Sequence, residues 1–248
     1  VGNVIGTNIA NLCLVLGIAA LASPIVADWR DVGRDVWVML GATTLVPVAL
    51  ADGVIGRPEA ALLVAALIAY VALSYRTEIR ARTAAEDWRV ETVDELAMAR
   101  PSLYIGVLMC VSGAAGLVAG AELLVRGATG VAHSLGLSEA LVGLTVVAAG
   151  TSAPELATCV VASVRGDDDI ALGNAVGSNV FNILLILGVT GTFMPIDSGT
   201  ELLPASILLL VLTAAFAVAV WRAPRIERAG GAVLLATYVV LVFAAFLG

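Results

Sequence analysis

Thr151, Ser152, Pro154 and Glu155 put two hydroxyls, an imino acid and a carboxylate within five residues of an otherwise apolar run, GLTVVAAGTSAPELATCVVASV. A charged side chain at the centre of a membrane helix costs roughly 2.5–3.5 kcal/mol on insertion scales, so an intramembrane glutamate marks a functional site by default. On a continuous α-helix, positions i, i+1 and i+4 share a face, which predicts that Thr151, Ser152 and Glu155 present their oxygens together. Pro154 has no N–H for the carbonyl of Gly150, so a main-chain oxygen is expected to be freed beside them. Such a hard-oxygen set suits Na⁺ or Ca²⁺ and not zinc or copper. A second apolar run, ALGNAVGSNVFNILLILG, repeats the idea. In it Ser178 and Asn182 lie one helical turn apart, and Gly173 and Gly177 form a small-xxx-small face expected to allow close helix contact.

The elements that hold these residues must be membrane helices. Of the 248 residues, 60% are hydrophobic and 13% charged, and the mean hydropathy is +1.01. A soluble domain carries about a quarter charged residues, so the chain reads as an all-α polytopic membrane protein with the lipid bilayer as a partner. The formal net charge of −7 gives no reason to expect a nucleic-acid partner. Every basic residue is arginine, which excludes a Walker-A phosphate loop and a lysine Schiff base. His133 is the sole histidine, and Ser152 has no basic partner nearby in sequence, so neither a histidine zinc centre nor a serine protease is supported and no enzyme is expected. Cys13, Cys110 and Cys159 stand singly in apolar runs and read as small packing residues.

Apolar stretches of spanning length fall near 4–22, 36–54, 59–75, 102–125, 137–164, 171–194, 202–221 and 229–247, predicting eight transmembrane helices. The longest connection, 76–101, mixes both charge signs with scattered apolar residues and reads as a connector containing a short solvated helix. Glu122 and Arg126, at i and i+4, are expected to pair. Asp167, Asp168 and Asp169 read as a solvated tight turn, without the spacing of a Ca²⁺-binding EF-hand loop. Arg30, Arg34, Arg76, Arg80, Arg82, Arg89, Arg100, Arg165, Arg222, Arg225 and Arg228 fall in alternate loops, against Arg57 and Arg126 in the others. The positive-inside rule therefore places loop 76–101 in the cytoplasm, with Val1 and Gly248 on the outer face of the cell's inner (plasma) membrane.

Residues 1–25 match residues 172–196 without a gap. Gly2, Asn3, Gly6, Asn8, Asn11, Leu14, Leu16, Gly17, Pro24 and Ile25 recur as Gly173, Asn174, Gly177, Asn179, Asn182, Leu185, Leu187, Gly188, Pro195 and Ile196, and Thr7 answers Ser178. Two further apolar spans follow each copy, whereas the spans at 102–125 and 137–164 precede only the second. The chain thus divides into an incomplete first repeat of three helices (1–75), the connector (76–101) and a complete second repeat of five (102–248). An odd number of spans per unit inverts one unit relative to the other, the plan of many secondary transporters. By this logic about 70 residues, two helices carrying a second Gly-Thr-Ser-x-Pro-Glu element, are expected ahead of Val1.

With GTSAPE (150–155), GNAVGSNVFN (173–182) and GNVIGTNIAN (2–11) together, the chain closely resembles the calcium/cation antiporter superfamily, nearest to its bacterial inner-membrane sodium/calcium exchanger branch. The resemblance covers essentially the whole chain. It implies ten helices in two inverted five-helix units, of which these residues supply the third to the tenth. It implies no cofactor and Na⁺ and Ca²⁺ as transported ions. Glu155 would then be a principal ligand, Thr151 and Ser152 would add hydroxyl or backbone oxygens, and Ala148 its carbonyl. Ser178 and Asn182 would complete this half of the site, with Thr7 and Asn11 as counterparts in the first repeat. Several members of the family carry aspartate where this chain has Asn182, which lowers the charge of the site by one. The expected activity is exchange of Na⁺ for Ca²⁺ by alternating access, both ions competing for one carboxylate-rich site. Exchange of H⁺ for Ca²⁺ is the alternative within the family, and a non-transporting membrane protein with half an ion site is the alternative outside it.

Overall fold

Three prolines set the ends of the spanning elements. The residue before a proline is pushed out of the α region, and Ser23, Met194 and Ala223 accordingly adopt extended backbone with φ of −146°, −142° and −129°. The computed structural model describes residues 1–89, 103–134 and 148–247, and in it each of these three helix ends leads into a short strand. Helix α1 (Gly2–Ala22) stops at Ser23 and the chain enters β1 (Ile25–Val26). Helix α7 (Asp168–Phe193) stops likewise and leads into β3 (Ile196–Asp197). Strand β1 pairs antiparallel with β4 (Arg225–Ile226), and β2 (Val54–Ile55) with β3. A shift of 171 residues turns one pairing into the other: Ile25 faces Ile226, and Ile196 faces Ile55.

These two pairings fix the directions of the helices. Helix α2 (Trp29–Ala49) runs from the β1–β4 end to the β2–β3 end, and α8 (Leu203–Arg222) runs back, packed against it. Helix α1 ends at the first pairing and α7 at the second, so the two copies of the repeated sequence run in opposite directions. Helix α9 (Arg228–Leu247) packs on the second half of α1, and α3 (Arg57–Arg89) on the end of α7. The contact points are equivalent. A Cβ on Gly17 would lie 3.0 Å from the Leu235 nitrogen, and one on Gly188 would lie 3.1 Å from the Val64 nitrogen. Leu12, Leu16, Met39, Leu172, Ile183, Leu184 and Leu209 fill the core between these helices. Outside it, α4 (Leu103–Ser134) exposes Tyr104, Met109, Val118 and Leu123, an outward apolar surface suited to a hydrocarbon surround.

Among the described residues, five helices are long and apolar enough to cross a membrane: Gly2–Ala22, Arg57–Thr77, Tyr104–Gly127, Asp168–Phe193 and Leu203–Arg222. The span expected at 36–54 falls on the helix Trp29–Ala49, which is not one of these five; the Asp28 carboxylate accepts from the Arg30 N–H at 2.9 Å and starts the helix seven residues earlier. The expected connector 76–101 opens as helix, since α3 continues without a break to Arg89. Residues 90–102, and the part of the predicted 137–164 span before Ala148, lie outside the described residues. The close contact expected at Gly173 and Gly177 is absent, as a Cβ on either would meet nothing within 4 Å among the described residues. Tight approach occurs instead at Gly188 and Gly191, where α3 crosses α7.

The arginine-rich loops gather at one end. Strand β1 pairs with β4, Arg34 donates to the Thr77 hydroxyl, and Val26 and Asp28 line a cavity with Gly166, Asp167 and Asp168. Asp168 and Asp169 occupy the first turn of α7, where the helix dipole favours acidic side chains. Gly166, φ +78°, ends helix α6 (Ala153–Arg165) in the left-handed region. Because a side chain there costs about 1–2 kcal/mol, Gly166→Ala is expected to lower the thermal midpoint of the purified protein by a few degrees.

Candidate ion-binding site

The helix carrying the glutamate is broken. Instead of the continuous α-helix predicted through residues 151–155, a short helix α5 (Ala148–Thr151) ends at Ser152, whose φ of −89° and ψ of 2° leave the helical basin, and α6 begins at Ala153. Pro154 explains the break. It lacks the N–H that a continuous helix needs and is at home in the first turn of a new one. Gly150 lets α5 approach α4 closely, since a Cβ at that position would collide with the Val125 side chain.

The break changes what Ser152 and Glu155 do. Ser152 precedes α6 and Glu155 lies in its first turn, where partial positive charge from the helix N-terminus stabilises a carboxylate. The spacing Ser-x-x-Glu is that of a capping box, in which each side chain would bond back to the other's main-chain N–H. Here the box is open. The Ser152 Oγ and Glu155 Oε2 atoms are both buried without a hydrogen-bond partner among the described residues. An unpaired buried polar atom costs roughly 1–3 kcal/mol, more for a charged group.

The facing wall comes from α1 and α7, which carry the same irregularity. Each contains a widened, π-type turn, at Asn11–Val15 and Asn182–Leu187. Such turns interrupt a helix at functional sites. Four asparagines meet where the two helices cross. The Asn8 Nδ2 donates to the Asn179 carbonyl at 3.4 Å, and the Asn179 Nδ2 to the Asn8 carbonyl at 3.3 Å. The Asn11 Nδ2 donates to the Asn179 Oδ1 at 3.1 Å, and the Asn182 Nδ2 to the Asn8 Oδ1 at 3.0 Å. All four bonds respect the 171-residue symmetry. The Asn11 Oδ1, like the oxygens of Ser152 and Glu155, is buried without a partner among the described residues.

Helix α6 packs on α1, including its widened turn, and on the first part of α7. The Asn174 Nδ2 donates to the Glu155 carbonyl at 3.3 Å and to the Cys159 Sγ at 3.4 Å, tying α6 to α7. Thr7, Asn11 and Ser152 are buried, Glu155, Ser178 and Asn182 are half-buried, and Thr151 is exposed. Ala148 opens α5. Among the described residues no three His, Cys, Asp or Glu side chains come together, and the carboxylate of this element is that of Glu155. Sequence reasoning did not foresee the cross-link through Asn8 and Asn179 or the Asn174 clamp. The signal was present, because all three asparagines belong to the repeat and sit in apolar runs. Elsewhere, the Arg126 Nε and the Glu122 Oε1 pair as expected at 2.7 Å. Cys13 and Cys159 are buried packing residues, while Cys110 is exposed.

Residues 1–76 and 85–247 match the family model described as sodium/calcium exchanger protein. The chain belongs to the sodium/calcium exchanger family. Members of this family are multi-pass membrane transporters and not enzymes. The chain is similar to the putative antiporter CaxA of Alkalimonas amylolytica, 34% identical, with 96% of this chain and 76% of the relative aligned. It is also similar to the inner membrane protein YrbG of Escherichia coli, 31% identical, with 97% and 74% aligned. Among solved structures, it resembles the sodium-calcium exchanger NCX_Mj soaked with 10 mM Na⁺ and 10 mM Sr²⁺, with a TM-score of 0.77 and 28% identity, covering 97% of this chain and 74% of that one.

Proposed function

We propose that this family member is a secondary active antiporter exchanging Na⁺ for Ca²⁺ at a mid-membrane site centred on Glu155. The observation that carries the proposal is the set of uncommitted buried oxygens, Glu155 Oε2, Ser152 Oγ and Asn11 Oδ1, on packed and irregular helices. A buried carboxylate without a counter-charge is costly, and a bound cation offsets that cost. Thr7, Thr151, Ser178, Asn182 and the Ala148 carbonyl complete the proposed ligand set. Irregular backbone at membrane depth is tolerated only inside protein or against a water-filled cavity, so the Ser152 break and the two widened turns favour a protein-lined site there.

Alternating access follows from the inverted repeat, divided at 1–75 and 102–248 with 76–101 as a cytoplasmic connection. The end holding β1, β4 and most arginines faces the cytoplasm of the inner (plasma) membrane, in keeping with the positive-inside rule. Two ions that stabilise the same buried carboxylate compete, and release of one on either face permits loading of the other. The test is uptake of radiolabelled Ca²⁺ into proteoliposomes. Uptake driven by an outward Na⁺ gradient, and not by a pH gradient of equal size, supports the proposal; the reverse identifies exchange of H⁺ for Ca²⁺. Cation-dependent stabilisation with no flux under either gradient identifies a binding protein that does not transport.

A further inference from the structure

We infer that Asn8 and Asn179 are positioning residues for the ion site: they occupy the amide hydrogens of Asn182 and Asn11 and thereby turn the Oδ1 atoms of those two side chains toward the cation. This rests on the site reading above and adds to it two residues that face each other, not the ion.

The inference follows from donor and acceptor bookkeeping. An asparagine amide has one end that donates and one that accepts. The end of Asn8 facing the Asn179 carbonyl must be its nitrogen, because a carbonyl only accepts, and the converse bond fixes Asn179 in the same way. The opposite ends of both amides are therefore oxygens. Each oxygen faces the amide of the residue three positions further on in the partner helix, so Asn11 and Asn182 must present nitrogen to it. The remaining ends of Asn11 and Asn182 are then oxygens, without a partner among the described residues in the case of Asn11. Two main-chain carbonyls thus orient four side chains. With either amide reversed, an N–H₂ group would meet the cation in place of a ligand oxygen.

Local structure supplies the carbonyl capacity. The N–H of Asn11 is shared between the carbonyls of Thr7 and Asn8, and that of Asn182 between those of Ser178 and Asn179, at the entry to each widened turn. Asn8 and Asn179 are 0% and 1% exposed, so water does not compete for these bonds. The Asn179 Nδ2 also lies 3.6 Å from the Met39 sulfur, a weak acceptor that leaves the assignment unchanged.

The test is Ca²⁺ binding by the purified protein, measured by titration calorimetry, in a double-mutant cycle. Outer-shell partners of metal ligands are worth roughly 10–100-fold in affinity, so Asn179→Leu is expected to weaken Ca²⁺ binding by at least tenfold. In the Asn11→Ala background the same change is expected to add less than about twofold, because its action runs through Asn11. Asn179→Asp keeps an acceptor for the Asn11 amide at nearly the same volume and, in its protonated form, an O–H for the Asn8 carbonyl, so at a pH low enough to protonate it the variant is expected to retain wild-type affinity; it decides the matter if leucine prevents folding. Additive losses in the cycle, or equal losses with aspartate and leucine, overturn the positioning role. Glu155→Gln is the control. If it abolishes binding while Asn179→Leu binds normally, only the positioning role is wrong; if it binds like the wild type, the site itself is misplaced.

Discussion

Glu155→Gln is expected to weaken Ca²⁺ binding at least a hundredfold while leaving the thermal midpoint in the absence of cations unchanged or raised. The substitution preserves volume but removes the one carboxylate at the open capping box of Ser152 and Glu155. It also places an amide N–H₂ among oxygens that would otherwise converge on a cation. A hundredfold loss corresponds to roughly 2.8 kcal/mol, within reach of a buried charge–charge contact. Folding does not suffer, because the buried Glu155 Oε2 has no hydrogen-bond partner among the described residues to lose. Calorimetric titration and a thermal scan on the same preparation separate the two effects. A variant that binds as the wild type does would remove Glu155 from the site.

The second large effect concerns the joint between α1 and α9. A Cβ on Gly231 would lie 2.8 Å from the Gly17 carbonyl oxygen, 3.0 Å from the Ala20 Cβ and 3.1 Å from the Leu21 nitrogen. Two of these three are main-chain atoms of a packed helix and cannot swing aside. Gly231→Leu is therefore expected to cost about 3 kcal/mol or more through overpacking, seen as a midpoint lowered by roughly 5–10 °C. Gly41→Ala is the matching control. Its added Cβ meets nothing within 4 Å, so a neutral or slightly stabilising change is expected. Equal losses in the two variants would show that backbone entropy, and not close approach, sets the glycine requirement at Gly231.

What could be read from the sequence depended on how local its cause was. The 171-residue register was legible because whole residues recur, and it carries through to the equivalent pairings of Ile25 with Ile226 and Ile196 with Ile55. The helix ends before Pro24 and Pro195 have a local cause, since the restriction before proline is a property of one peptide unit. Pro154 misled for the opposite reason. Its missing N–H could be met by an orphaned carbonyl in a continuous helix or by a new helix start, and tertiary packing selected the second. The widened turns at Asn11–Val15 and Asn182–Leu187 had no signal, because no residue type dictates an extra residue per turn. Asn8 and Asn179 were visible as repeated asparagines, but their partners lie across a helix crossing that sequence spacing does not specify. The early start of α2 was readable in principle from Asp28; hydropathy alone placed the span too late because Arg30, Arg34 and Asp35 fall within its first turns.

A single site serving both ions is tested most directly by competition at equilibrium. Radiolabelled Ca²⁺ bound to the purified protein is measured as Na⁺ is raised at constant ionic strength with a large organic cation. Na⁺ is expected to displace Ca²⁺ completely, with an apparent Ca²⁺ affinity that falls steadily as Na⁺ increases and a capacity that does not change. Ca²⁺ that stays bound at saturating Na⁺, or that leaves equally in the organic cation alone, would contradict a shared carboxylate site at Glu155.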